Sequence, residues 1–108
     1  MLTTIILFIS FLFFQTGFAT DKTWVGTSPW LTTASNWIPS GEPTSSDNVT
    51  IPTSPAGWNM PIYSGTAGTI YSDDLTLEAS ATLTLSSTAD NIEVNGDLII
   101  GAGASISC

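Results

Sequence analysis

The sequence predicts an all-β fold: a short β-helix, or β-solenoid, closed at its N-terminal end by a tryptophan-rich cap, with a β-sandwich as the alternative. Three observations predict it. Ser, Thr, Gly, Asn and Pro are abundant while Lys, Arg, Gln and Glu are scarce, which favours strands and turns over helices. Short pairs of period two recur in the second half: Leu75-x-Leu77, Leu83-x-Leu85, Ile92-x-Val94 and Leu98-x-Ile100. Ser, Ala, Asp, Asn and Gly separate them, so each strand is brief and a turn follows at once.

The chain has 108 residues, at most one small domain once an export segment is set aside. A domain of that size buries only about 60–65% of the surface its unfolded chain exposes, so its core needs support from a cap or from stacking. Nine acidic residues face one basic residue, Lys22, for a formal net charge of −8. Phosphate binding requires Lys or Arg to displace counterions, so the charge argues against nucleic acid as a partner. It argues equally against attraction to an anionic membrane surface.

Residues 1–19 read as a signal peptide. The apolar run Ile5–Phe14 is interrupted only by Ser10 and is too short for a bilayer core, which needs about 20 residues. Gly17 and Ala19 supply the small residues a signal peptidase requires, with the cut after Ala19. The segment before the apolar run carries no Lys or Arg. The expected location is secreted or at the cell surface, with no membrane insertion after cleavage.

Residues 20–57 are expected to form the capping segment. Trp24, Trp30 and Trp37 are spaced too irregularly for one helix face, and Pro29 and Pro39 interrupt any helix. Ser40-Gly41-Glu42-Pro43 signals a turn. Asp47 and Asn48 then release the chain into the strand Val49-x-Ile51. A stack of β-coils ends in an open apolar core and unpaired backbone groups, and large flat indoles suit the task of closing it.

Trp24-x-Gly26, Asn36-Trp37, Gly41-x-Pro43 and Asp47-x-Val49-x-Ile51 together resemble the N-terminal segment of large exported surface proteins best known among Bacteroidota. The resemblance is close from Thr23 to Ile51, and the texture beyond agrees with it. It implies a right-handed parallel β-helix of adhesin-like type, and with it a cell-surface, interaction-based role.

Residues 58–108 are expected to form the coils. Residues 52–69 read as a long loop with a short extended piece at Pro61-Ile62-Tyr63. Beyond it, a coil of about 20 residues would set Leu75/Leu77 under Ile92/Val94. Asn95-Gly96-Asp97 supplies a tight turn. Cys108 is the one cysteine and the last residue, which reads as a chain cut short with its partner thiol downstream.

Candidate chemistry is sparse. Without His, neither a Ser-His-Asp nor a Cys-His arrangement can form, and the expectation is of no catalytic activity. No cofactor is expected, with calcium the one candidate. Its proposed ligands are Asp73, Asp74 and Glu78, with Asn91-x-Glu93-x-Asn95 as a weaker loop match. Trp30, Trp37 and Trp58 are candidate stacking platforms for sugar rings, although core or cap packing is the commoner fate of tryptophan. Thr82-x-Thr84 resembles one rung of a flat threonine ladder, and Asn48-Val49-Thr50 is a glycosylation sequon.

The functional expectation is an exported, structural or adhesion-type surface protein whose partners are extracellular glycans or matrix. Two alternatives stand beside it: a carbohydrate-binding module that uses exposed tryptophans, and the N-terminal part of a glycan-active β-helix enzyme.

Overall fold

The computed structural model describes residues 20–63, 68–87 and 89–108; the export segment and its cut after Ala19 lie outside them. The strands are β1 (Asp21–Trp24), β2 (Trp37–Ile38), β3 (Asn48–Ile51), β4 (Ile62–Tyr63), β5 (Thr69–Ser72), β6 (Leu75–Leu77), β7 (Thr82–Leu85), β8 (Asn91–Val94), β9 (Leu98–Ile100) and β10 (Ser105–Ser107). A 3₁₀ turn, Ala34–Asn36, leads into β2. The strands stack as a β-solenoid of about four turns, as the sequence predicts.

Three sheets make its sides, in the orders β2-β1-β3-β6-β9, β10-β7-β4 and β5-β8. Among these strands every pairing is parallel except that of β1 with β2. The pairs at Leu75/Leu77, Leu83/Leu85 and Ile92/Val94 are therefore the three sides of one coil. This corrects the expected stacking of Leu75/Leu77 on Ile92/Val94. Leu75 pairs instead with Leu98 and Leu77 with Ile100. Ile92 pairs with Ile70, and Val94 with Ser72. The physical reason is the number of sides: each coil carries three strands and three corners, and so takes more chain than the expected coil allowed.

Strand alternation fills the interior. Lys22, Val49, Leu75 and Leu98 form one column in register, and Ile51, Leu77 and Ile100 a second. Rungs about 4.8 Å apart set each side chain directly on the next, and compact aliphatic residues fit that spacing. Val49, Ile51, Leu75, Leu77 and Leu83 are each no more than 3% exposed. Between the columns Thr23, Thr50 and Thr76 stand in register on the outer face of the same sheet.

Two strands begin with the same turn. Before β3, the Asp47 carboxylate accepts from the Thr44 N–H at 2.7 Å, and the Asp47 N–H donates to the Thr44 carbonyl. Before β8, Asp90 accepts from the Ser87 N–H at 2.9 Å, and its own N–H donates to the Ser87 carbonyl. The local sequences Thr44-x-x-Asp47-Asn48-Val49 and Ser87-x-x-Asp90-Asn91-Ile92 match accordingly. In each, a short side chain satisfies turn backbone that the ladder cannot reach.

The two ends of the stack differ. At the N-terminal end the antiparallel β2 and the buried Trp24, Leu31 and Trp37 close the core. At the other end β9 is the outer strand of its sheet, and Leu98, Ile99 and Ile100 are all about half exposed.

Candidate binding surfaces

The four tryptophans divide into two kinds. Trp24 and Trp37 are buried, at 0% and 1% exposure. The Trp24 indole N–H donates to the Asn59 carbonyl at 2.7 Å, and that of Trp37 donates to the Leu31 carbonyl at 2.9 Å. Both rings are thus fully committed, as buried indoles usually are. For Trp37 this corrects the expected stacking role: no face of its ring is open to a ligand, because it packs under the cap.

Asn36 explains why an Asn precedes that Trp. Its amide is wholly buried and its polar atoms are engaged. The Oδ1 accepts from the Thr27 hydroxyl and the Ser28 N–H, and the Nδ2 donates to Ser28 Oγ and to the Trp30 carbonyl. One side chain thereby fixes the loop 27–30.

Trp30 and Trp58 are the exposed pair, at 47% and 85%. Trp30 continues the second sheet through a parallel bridge to Ile62. Trp58 stands on the loop between β3 and β4 with φ of 66°, a left-handed conformation that a bulky residue seldom adopts. The loop is braced. The Gly57 N–H donates to the Val25 carbonyl, and the Asn59 amide donates to the carbonyls of Gly26 and Gly57. Gly26 has φ of 65°, and a Cβ there would collide with the Asn59 carbonyl and come within 2.9 Å of the Trp24 indole nitrogen. The Trp24-x-Gly26 motif is therefore a seat for this loop.

The expected calcium ligands are not brought together. Asp73 and Asp74 precede β6, whereas Glu78 follows it, and a three-residue strand spans about 10 Å. Asp74 Oδ1 accepts from the Asp97 N–H at 2.7 Å, and Glu78 Oε2 accepts from the Thr53 N–H at 3.1 Å. Each acid ties its own corner to a neighbouring coil. Among the described residues no group of three or more His, Cys, Asp or Glu converges as a metal site. In the Asn91-x-Glu93-x-Asn95 stretch, Asn91 and Glu93 are outward residues of β8.

Lys22 has a structural position. It is buried, and its ammonium donates to the carbonyls of Pro39, Ser40 and Gly41 at 3.0, 3.1 and 3.1 Å. All three of its donors are occupied. The outward pair Thr82-x-Thr84 is matched in register by Ser105-x-Ser107, but the coil before it places Ile62 over Thr84. The hydroxyl ladder therefore stops after two rungs. Asn48 of the sequon lies in β3 and donates its amide to Asp21. Cys108 is an exposed, free thiol.

A cavity beside β5 has no forerunner in the sequence pattern. Among the described residues the first coil has no strand alongside β5 in the third sheet, whose order is β5-β8. The capping segment passes there instead, and a cavity of about 130 Å³ remains between them. Leu31, Tyr63 and Ile70 line it on the core side, and Glu42 and Tyr71 line it among exposed residues. Tyr63 pairs with the inward Leu85, which marks it as a core-facing position. Its phenol oxygen lies where a Cβ on Gly68 would sit, so only glycine fits there.

Comparison of the sequence with family models and curated proteins, and of the fold with solved structures, finds no match. Among the described residues no helix is long and apolar enough to cross a membrane.

Proposed function

We propose that the chain is an exported, non-catalytic β-solenoid module of the cell surface that contributes adhesion or matrix contacts. The observation that carries this reading is the sealed N-terminal end of a parallel stack. Trp24, Trp37 and Leu31 are buried there beside the antiparallel pair of β1 and β2, and the coils that follow pair in parallel. A rigid stack with one sealed end suits display and contact, because each coil rests on its neighbour and needs no separate core. The Trp-rich motifs that resemble exported β-helical surface proteins supply this sealed end, and Lys22 is spent on holding a cap loop.

The test is retention of the purified, labelled protein on arrays of polysaccharides and extracellular-matrix proteins. Saturable retention on at least one surface is expected. Absence of retention on every surface sinks the adhesion reading.

A second reading, a carbohydrate-binding module, has one specific observation in its favour. Trp58 is 85% exposed in a left-handed backbone conformation on a braced loop. Ordering an exposed aromatic residue costs free energy, and such costs are commonly met where a ligand is recognised. Iodide quenching of Trp emission with and without polysaccharide separates the two: protection by a glycan that Trp58→Ala abolishes favours the module.

A further inference from the structure

We infer that the cavity between the capping segment and β5 is a binding subsite for one neutral sugar ring. The adhesion reading underlies this proposal, which supplies it with a ligand class. Size limits the occupant. A volume of about 130 Å³ lies well below the ~300–1,000 Å³ of sites that enclose a drug-sized ligand. It admits a single ring and excludes a helix or a strand of several residues.

The walls select the chemistry. The core-side wall is apolar: Leu31 and Ile70 are buried, and the half-buried Tyr63 packs against the core. Glu42 and Tyr71 line the cavity from exposed positions, and the hydroxyl-bearing Thr32 and Thr69 join them. A pyranose ring presents an apolar C–H face and a rim of hydroxyl donors. Phenol rings meet the first, and a carboxylate with two lone-pair-rich oxygens accepts from two adjacent hydroxyls.

Charge excludes the anionic alternatives. No basic side chain lines the cavity, and the chain's one lysine has all its donors committed to carbonyls. With a formal net charge of −8, the chain repels phosphorylated, sulfated or uronic-acid ligands. A quaternary cation such as choline would meet one carboxylate and two phenols, but it lacks the rim of hydroxyls that a sugar offers to the threonine side chains. The cavity also has an architectural origin. It occupies the place beside β5 where the first coil supplies no third strand among the described residues, and Gly68 admits the Tyr63 phenol that lines it.

The test is saturation-transfer NMR on the purified protein. The probes are glucose, galactose, mannose, N-acetylglucosamine and their β-linked disaccharides, with choline and inorganic phosphate as comparators. Glu42 and Tyr71 are exposed, so Glu42→Gln and Tyr71→Ala leave the core intact, and near-ultraviolet circular dichroism of the buried tryptophans verifies this. The expected result is saturable binding of at least one saccharide, weakened at least tenfold by each variant and unchanged by Trp58→Ala. No saccharide binding, binding indifferent to both variants, or a preference for choline or phosphate overturns the subsite. Saccharide binding abolished by Trp58→Ala alone also overturns it, and leaves the adhesion reading standing. If the variants weaken sugar binding but the protein adheres to no surface, the subsite survives and the adhesion reading fails.

Discussion

Trp24 and Trp37 face each other across the antiparallel pair of β1 and β2, with ring centroids 5.1 Å apart and planes inclined by 74°. This edge-to-face contact is the favourable arrangement of two indoles, because the positive rim of one meets the negative face of the other. It closes the stack at its first coil. Trp37→Ala leaves both a cavity and the Leu31 carbonyl without its donor, and should cost about 3–5 kcal/mol. Denaturant unfolding, with loss of the near-ultraviolet signal of the buried pair, measures this. A change below about 1 kcal/mol would mean that the cap does not hold the fold.

Lys22 stands in the inward column in register with Val49, a position otherwise filled by aliphatic residues. Among the described residues no earlier coil lies above it, so its stem covers the core while its ammonium reaches three cap carbonyls. Lys22→Met retains the stem and removes the donors. Loss of charged hydrogen bonds is offset in part by relief of ammonium desolvation, so a net cost of about 1–2 kcal/mol is expected. The local effect should be larger than the global one. The Gly41 N–H donates to the Ala34 carbonyl in the same loop, and its hydrogen exchange should accelerate in Lys22→Met. Unchanged exchange at Gly41 would remove the anchoring role.

Much of the architecture was legible in the residues. Alternation announced β6, β7, β8 and β9, because a strand with one buried face must repeat at two. Coil length was not legible. The uneven steps from Leu75 to Leu83, Ile92 and Leu98 carry no signal for which strand lies over which, since that depends on the number of sides. The turn shared by Thr44–Asp47 and Ser87–Asp90 was visible as a repeated Asp-Asn before an aliphatic pair, but it marks strand entry on two different sheets and so does not give the period. The fates of the tryptophans were hidden for a different reason. Whether an indole is buried or displayed is set by residues far along the chain, as when Asn59 receives Trp24 and leaves its neighbour Trp58 outside. The cavity at Tyr63 and Tyr71 was invisible because it arises where, among the described residues, β5 has no strand of the first coil beside it.

Leu77 and Leu98 test the polarity of the stack. Both belong to the same sheet and both stand in the inward columns, but Leu77 is 0% exposed and Leu98 is 51% exposed. Leu77→Ala should cost about 2–5 kcal/mol, as for a core leucine. Leu98→Ala removes surface that is half in water already, and should cost less than about 1.5 kcal/mol. Paired urea unfolding curves give the comparison. Equal costs would mean that the last rung is covered in solution.

Ser72 is the polar exception in the interior. It lies on β5 at an inward position beside Val94, is 1% exposed, and its hydroxyl has no hydrogen-bond partner among the described residues. An unmade hydrogen bond in a buried site costs about 1–3 kcal/mol, whereas the side-chain volume given up on removing one oxygen is small. Ser72→Ala should therefore stabilise the chain, by about 0.5–1.5 kcal/mol once the forfeited packing is subtracted. Ser72→Val separates polarity from space: the added methyl groups are tolerated only where the interior has room, and a stability below that of Ser72→Ala indicates overpacking. Thermal unfolding of the three proteins in one buffer decides the matter. A lower midpoint for Ser72→Ala than for the parent would show that the hydroxyl finds a partner in solution, and that the interior beside β5 is wetter than its burial indicates.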